Sequence, residues 1–108
     1  MNALAFFMNL CARMESHHPH IRKSTLLSSP SMEYKGRAFA MVYEDRIVLK
    51  LNGHDLPAKT SLGWQYYKPY GRPVYLQNWV EIPFYFHHDW PDLAEQALNH
   101  LKALLGED

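Results

Sequence analysis

The sequence has a single cysteine, Cys11, so an intrachain disulfide is excluded and a reducing compartment suits the chain. It contains no run of about eighteen apolar residues, the length that a membrane-spanning helix needs. Lys plus Arg and Asp plus Glu both number 11, so no net charge draws the whole chain to nucleic acid or to membranes. Its five glycines form no phosphate-binding loop. We therefore predict a cytoplasmic protein that does not use the membrane.

The composition that remains is typical of a folded domain. Hydrophobic residues make up 47% of the 108 residues and aromatic residues 14%, which indicates a packed core rather than a disordered chain. A chain of this length can bury a core without metals or disulfides, and we predict one domain over residues 1–108. The apolar start lacks the positive residues of a signal peptide, so we assign it to the mature fold.

Residues 37–51 form the pattern around which the rest is arranged. Apolar residues alternate with others in two runs, and Glu44 and Asp45 supply a short polar turn between the runs. Alternation with period two predicts a β-hairpin with one buried face on each strand. The residues expected on those faces are Phe39, Met41 and Tyr43 in the first strand and Ile47, Leu49 and Leu51 in the second.

A helix is predicted at each end of the chain. The first covers residues 2–16 with Asn2 as its N-cap. The second follows Asp89 as its cap, has Pro91 and Asp92 in its first turn and ends at Gly106. Their apolar stripes, at helical spacing, are Leu4, Phe7, Met8, Cys11 and Met14, and then Ala94, Ala97, Leu98, Leu101, Leu104 and Leu105.

Shorter elements are predicted between these. We expect short strands at residues 25–27 and 32–34, a turn at residues 28–31, a short helix over residues 54–62 and a strand over residues 79–86. Pro83 cannot donate a ladder hydrogen bond, so the last strand either lies at a sheet edge or ends there. The predicted fold class is α+β, with an antiparallel sheet built on the central hairpin and packed against N-terminal and C-terminal helices.

Chemistry-bearing residues form no catalytic or metal-binding pattern. His17, His18 and His20 lie in a predicted loop, and His87 and His88 precede the last helix, without a recognised zinc-ligand spacing. Cys11 lies on an apolar helix stripe, where a thiol is buried and protonated. No serine has the surroundings of a nucleophile elbow. We predict no metal, no cofactor and no catalytic residue, and hence a protein that is not an enzyme.

One stretch interleaves aromatic residues with cations. Three interpretations are open for it: aromatic residues that complete the core from a loop, a protein interface, and a surface on which nucleic-acid bases stack. The candidate binding surface consists of Lys59, Trp64, Tyr66, Tyr67, Lys68, Tyr70 and Arg72.

Charge is unevenly distributed along the chain. Residues 16–80 hold nine Lys/Arg against four Asp/Glu, whereas residues 81–108 hold Lys102 against six acids. The asymmetry would create a basic and an acidic face, or it reflects a C-terminal helix with an acidic polar side. Nucleic-acid binding would require a common solvent face for Lys35, Arg37, Lys50, Lys59, Lys68 and Arg72.

Several segments in this order resemble the MmcQ/YjbR-like and TfoX N-terminal-like group of small bacterial domains. They are GRAFA at residues 36–40, IVLKL at 47–51, YGR at 70–72, WVEIP at 79–83 and LAEQAL at 93–98. The resemblance covers nearly the whole chain and implies an α+β domain with helices at both ends. It also implies DNA binding, or regulation of competence genes, and it supplies no catalytic residues.

From these observations we predict a binding or adaptor domain that acts through a protein partner or as a homodimer. The mechanism would be burial of the aromatic stretch from Trp64 to Arg72, with charged faces setting the orientation. The alternative is a weak DNA-binding module of the MmcQ/YjbR type that uses the basic middle of the chain. The two hypotheses differ in the salt dependence that binding should show.

Overall fold

The computed structural model describes residues 1–51, 63–67 and 78–107. Helix α1 begins the fold, six strands and a 3₁₀ helix follow, and helix α2 ends it. Their bounds are α1 Ala3–His17, β1 Ile21–Leu26, β2 Ser29–Tyr34, β3 Arg37–Tyr43, β4 Arg46–Lys50, β5 Gln65–Tyr66, β6 Trp79–Pro83, the 3₁₀ helix Phe84–Asp89 and α2 Trp90–Leu104. The predicted helix over residues 54–62 lies outside the described residues.

The strands form one antiparallel sheet in the order β1-β2-β3-β4-β6-β5. Both helices pack on the same side of this sheet, and the predicted α+β class is confirmed. Consecutive strands pair as hairpins from β1 to β4, because two-residue turns join them. Leu27, Ser28, Lys35 and Gly36 all have positive φ, the geometry that matches the twist of paired strands.

The main core lies between the sheet and the helices. Phe7, Leu10, Cys11 and Met14 of α1 enter it, as the predicted stripe required for three of them. Leu4 departs from that stripe, since it is 49% exposed. Ala3 and Leu10, which the predicted stripe did not include, are buried instead, because the packing partners of the helix determine which of its residues face the core. On α2 the prediction is wrong for Leu104, which is 62% exposed.

Phe39 lies on the opposite face from the one its alternation predicts. The register between β2 and β3 shifts by one residue at this point. Met32 pairs with Ala40 and Glu33 pairs with Ala38, so Phe39 has no partner on β2 and forms a β-bulge. A bulge of this kind re-aims the side chain of the unpaired residue. Phe39 therefore enters the main core, whereas Met41 belongs to the other face of the sheet.

The second face of the central strands is also buried. Met41, Val48 and Tyr67 form an outer cluster, against which Leu26, Leu27, Tyr43 and Trp79 pack. Val48 follows Ile47 and precedes Leu49 on β4, and all three are fully buried. The continuous apolar run in β4 is therefore explained by burial on both faces, which the alternating pattern alone did not indicate.

The first hairpin begins earlier and turns earlier than predicted. β1 starts at Ile21, and the turn occupies Leu27 and Ser28, so that Ser29, Pro30 and Ser31 belong to β2. Pro30 faces Thr25, and it lies beyond the part of β2 that pairs with β3. A proline is accepted there because no ladder hydrogen bond requires its nitrogen.

β6 ends at Pro83, and the prediction that the strand extends to residue 86 is wrong. β6 is an inner strand, flanked by β4 and β5, so the proline stops it rather than marking an edge. Phe84 donates its N–H to the carbonyl of Asp45 at 2.9 Å as the chain turns into the 3₁₀ helix. Asp89 precedes α2 but makes no side-chain capping bond, whereas Asn2 caps α1 by accepting from the N–H of Ala5 at 2.8 Å.

Glu107, which follows α2, contacts the turn between β2 and β3. Gly106, at φ +78°, donates to Ala103, and Glu107 donates to Lys102, which closes α2 with a Schellman motif. The side chain of Glu107 then accepts from the Tyr34 hydroxyl at 2.6 Å and from Lys35 Nζ at 2.9 Å. Hydrogen bonding to Glu107 raises the pKa of both Tyr34 and Lys35.

The hydrogen bonds that Glu107 accepts from Tyr34 and Lys35 should be sensitive to acid. The hydrogen bond from Tyr34, and next that from Lys35, hold the pKa of Glu107 below its usual range. A lowered pKa stabilises the folded state at neutral pH, and this contribution is lost as pH falls through the lowered value. We expect the NMR signals of Tyr34 and Gly106 to shift together in acid, below the range where an ordinary glutamate titrates.

The Glu107→Gln variant should show no such joint shift. Asp92→Asn is the matched control, because Asp92 is an exposed acid in the first turn of the same helix. It should retain the transition of the parent protein. A joint shift of unchanged midpoint in Glu107→Gln would show that another group drives it.

Candidate interaction surfaces

Three of the seven predicted binding residues, Trp64, Tyr66 and Tyr67, lie in the described part of the chain. Tyr67 is 2% exposed and belongs to the outer cluster, where its ring contacts that of Tyr43 at 5.6 Å. Trp64 and Tyr66 are half-buried against the main core. These placements fit the interpretation that the aromatic residues complete the core. Lys59, Lys68, Tyr70 and Arg72 lie outside the described residues.

Trp64 also connects to an aromatic group that sequence patterning did not single out. Its ring meets Phe86 at a centroid distance of 6.0 Å, and Phe86 in turn meets Tyr85 at 5.0 Å, both in edge-to-face geometry. Tyr85 is 85% exposed, the largest value among the exposed large apolar side chains described. We call Trp64, Tyr85 and Phe86 the Tyr85 surface. The signal that could have located this surface in the sequence is Pro83, which ends β6 just before Tyr85 and Phe86.

A second group of rings surrounds Phe84, the neighbour of Tyr85 in the 3₁₀ helix. Phe84 stacks on His87 at 4.6 Å and meets Trp90 edge-to-face at 5.5 Å. Phe6 of α1 contacts both Phe84 and Trp90, at 6.0 and 5.7 Å. Trp90 is fully buried and donates its indole N–H to the carbonyl of Pro83 at 3.3 Å. The 3₁₀ helix that carries Tyr85 is thus packed against both α-helices.

The described cations of the nucleic-acid hypothesis lie at one end of the sheet. Lys35 is in the β2–β3 turn, Arg37 begins β3 and Lys50 ends β4, and the start of β3 and the end of β4 lie at the same end of the sheet because the two strands are antiparallel. Lys35 is paired with Glu107. The Lys35–Glu107 ion pair and the Arg46–Glu81 ion pair, at 3.5 Å, each join a cation of residues 16–80 to an acid of residues 81–108. Opposite charges therefore meet at these two places.

Glu81 is the one buried charged residue in the described ranges. Its carboxylate on β6 points to the outer face, where it accepts from Gln65 Nε2 at 2.6 Å and lies near Arg46 Nη1. A buried carboxylate requires such partners, since desolvation otherwise disfavours the charge. Its partners are an amide and a guanidinium, which orient the carboxylate and offer no nucleophile for it to activate.

Two histidines, His18 and His87, have different hydrogen-bonding partners. His18 Nε2 lies 3.0 Å from the carboxylate of Glu95, and His87 Nδ1 lies 2.9 Å from the carbonyl oxygen of Phe84. In the ranges 1–51, 63–67 and 78–107, no three residues of the His, Cys, Asp and Glu types converge as a metal site would need. Cys11 is fully buried within the main core.

A small cavity of about 140 Å³ lies between α1 and the start of α2. It is lined by Met1, Phe6, Asn9, Leu10, Arg13 and Pro91. Pockets for small-molecule ligands typically measure about 300–1,000 Å³, so this one is below their size. No helix in the described portion has the length and apolar character to cross a membrane.

Comparison with known proteins finds no family model that matches the chain, no matching curated protein and no matching solved structure. The resemblance to the MmcQ/YjbR-like and TfoX N-terminal-like group stays a prediction. Functional conclusions therefore depend on the surfaces described above.

Proposed function

We propose that this chain is a non-enzymatic protein-binding domain, an adaptor that acts through a protein partner or through a second copy of itself. The observation that carries the proposal is the exposure of Tyr85 on a supporting group of aromatic rings. The predicted aromatic binding stretch contributes to this surface through Trp64. We place the centre of the proposed binding surface on the 3₁₀ helix that carries Tyr85.

Tyrosine is well suited to this role. It offers a large apolar face and a polar hydroxyl, and it is enriched among the residues that contribute most to protein interfaces. Tyr85 is held by a short helix that packs on α1 and α2, so the backbone under it is ordered before binding. An ordered anchor loses less conformational entropy on association, which favours affinity.

A photo-crosslinking phenylalanine analogue placed at Tyr85 tests the proposal in cells. We expect a discrete adduct of defined mass, identified by mass spectrometry as one partner or as a second copy of this chain. The matched control carries the analogue at Gln96, an exposed position of α2. It should give no such adduct.

With the crosslinked partner in hand, Tyr85→Ser should weaken binding about thirtyfold, the typical cost of truncating a central interface aromatic residue. The affinity is measured by titration calorimetry with purified proteins. Gln96→Ser serves as the control and should bind like the parent. Equal adducts at both positions, or unchanged affinity of Tyr85→Ser, would overturn the proposal.

DNA binding is the second candidate, supported by the common location of Lys35, Arg37 and Lys50 at one end of the sheet. Pairing of Lys35 with Glu107 reduces the charge available there. The expected signature is binding of a mixed-sequence duplex that weakens steeply with added salt. Fluorescence anisotropy at low and physiological salt distinguishes it from protein binding at the Tyr85 surface.

A further inference from the structure

We infer that the outer edge of β1 accepts an extended, acidic segment of a partner protein, which adds to the sheet as a further strand. The inference rests on the proposed protein-binding function but places a second contact away from the Tyr85 surface. It is carried by the exposure of β1, by the direction of its backbone groups and by the charge of its side chains.

Among the described strands, β1 is the outermost and pairs only with β2. Four consecutive residues in it, Arg22, Lys23, Ser24 and Thr25, are exposed. The strand is six residues long, whereas β5 at the opposite edge has two. β1 is therefore the edge with room for a paired segment, and an edge of this length is a template for strand addition.

The pairing with β2 determines which backbone groups point outward. Lys35 donates its N–H to the carbonyl of His20 at 3.1 Å. His20 is therefore in a hydrogen-bonded pair, and such pairs alternate with non-hydrogen-bonded ones in an antiparallel ladder. The non-hydrogen-bonded positions, whose backbone N–H and C=O groups point away from β2, are Ile21, Lys23 and Thr25. Pro30, which has no N–H, faces Thr25 and agrees with this assignment.

Two of these residues offer both a donor and an acceptor. The N–H of Ile21 is used by the carbonyl of His18. Within the described ranges, the outward N–H and C=O groups of Lys23 and Thr25 have no hydrogen-bond partner. An added antiparallel strand can therefore form four backbone hydrogen bonds with these two residues.

The side chains of β1 favour an acidic partner. Arg22 donates only to the backbone carbonyls of Pro19 and Ile21 among the described residues. Lys23 Nζ forms an ion pair with Glu15 Oε1 at 3.9 Å, which is longer than a direct hydrogen bond. Directly opposed residues on paired strands have Cβ atoms about 5 Å apart. Arg22 and Lys23 lie on opposite faces of β1, so carboxylates at alternate positions of an added strand, which share one face, would reach one of these two cations.

The same charges argue against a second copy of the chain on this edge. Pairing of β1 with β1 of another molecule would gather two Arg22 and two Lys23 side chains on a short ribbon. Lysine on an edge strand is a common device that disfavours such self-pairing. An acidic segment reverses the sign of this interaction, and it is the occupant to which we commit.

A fluorescein-labelled eight-residue peptide with glutamate at every second position, alternating with valine and threonine, is the probe. We expect micromolar-range binding by anisotropy at low salt, with NMR shifts confined to β1 and its neighbours. A peptide with lysine in place of each glutamate should bind at least tenfold more weakly. A third peptide, N-methylated at every backbone nitrogen, should also lose at least tenfold, because neither of its edges can donate a hydrogen bond to the backbone of β1.

Thr25→Pro removes an outward N–H without cutting the bonds to β2, and it should weaken binding at least tenfold. Thr25→Val is the matched control and should bind like the parent, with circular dichroism checking that both variants fold. The three peptides test the inference without any variant if Thr25→Pro does not fold.

Equal binding of the acidic and basic peptides would overturn the inference, as would unchanged binding of the N-methylated peptide or shifts away from β1. A concentration-dependent dimer that Thr25→Pro abolishes would replace the acidic segment with a second copy. Tyr85→Ser should bind the acidic peptide normally. If the peptide fails to bind while the analogue at Tyr85 still crosslinks, the edge inference fails and the proposed function stands.

Discussion

Replacing Trp90 by alanine is expected to lower the free energy of unfolding by about 3–5 kcal/mol, the usual cost of removing a fully buried aromatic side chain. Trp90 has no exposed surface and contacts the rings of Phe6 and Phe84. Its loss would leave a cavity where α1, α2 and the 3₁₀ helix meet, and would leave the carbonyl of Pro83 without its donor. Urea denaturation followed by circular dichroism measures the change.

Leu104→Ala on the same helix is the control. Leu104 is 62% exposed, so its truncation should change the free energy of unfolding by no more than about 0.5 kcal/mol. Small domains are typically stable by about 5–15 kcal/mol, so the Trp90→Ala protein would lose a large part of its stability. Equal effects of the two substitutions would mean that Trp90 does not join the helices as described.

Cys11 in the native protein is expected to react with a thiol reagent at pH 8 at least about a thousandfold more slowly than a free cysteine. Burial, and then the charge of Glu15, raise the pKa of Cys11 to about 12. Only the thiolate is nucleophilic, and an ordinary cysteine has a pKa of about 8.5, so the native thiol is almost entirely unreactive. The reaction is followed by absorbance with an aromatic disulfide reagent.

Denaturant should restore the rate of a free thiol. A Cys11→Ala protein that also carries Ala12→Cys provides the matched control, because position 12 is exposed on the same helix. That protein should react rapidly in the native state. Native Cys11 that reacts within tenfold of this control would contradict its burial in the main core.

Local patterns predicted much of the fold because they depend on neighbouring residues. Asn2 followed by an apolar stripe predicted α1, and its capping bond to Ala5 is present. The alternation on either side of Glu44 and Asp45 predicted the hairpin of β3 and β4. Side-chain period and capping chemistry act over a few residues, so they can be recognised without the rest of the chain.

The departures arise where distant segments set the environment. Alternation placed Phe39 with Met41, but the register between β2 and β3 sends Phe39 to the main core. The alternation in β6 predicts that Glu81 faces solvent. Gln65 and Arg46 instead contact its carboxylate, and the residue is buried on the outer face of the sheet. No spacing within one segment specifies such a bulge or such a cross-strand neighbour.

The sequence by itself determined the α+β class, the two terminal helices and the central hairpin. The tertiary structure decided which faces are buried, so that Tyr67 lies inside and Tyr85 is exposed. It also decided that the edge strand β1 has six residues, where a strand of three was predicted. The physical reason is that secondary structure follows local stereochemistry, whereas burial depends on which surfaces the sheet and helices bring together. Candidate binding surfaces belong to the second kind of information, because they are what packing leaves exposed.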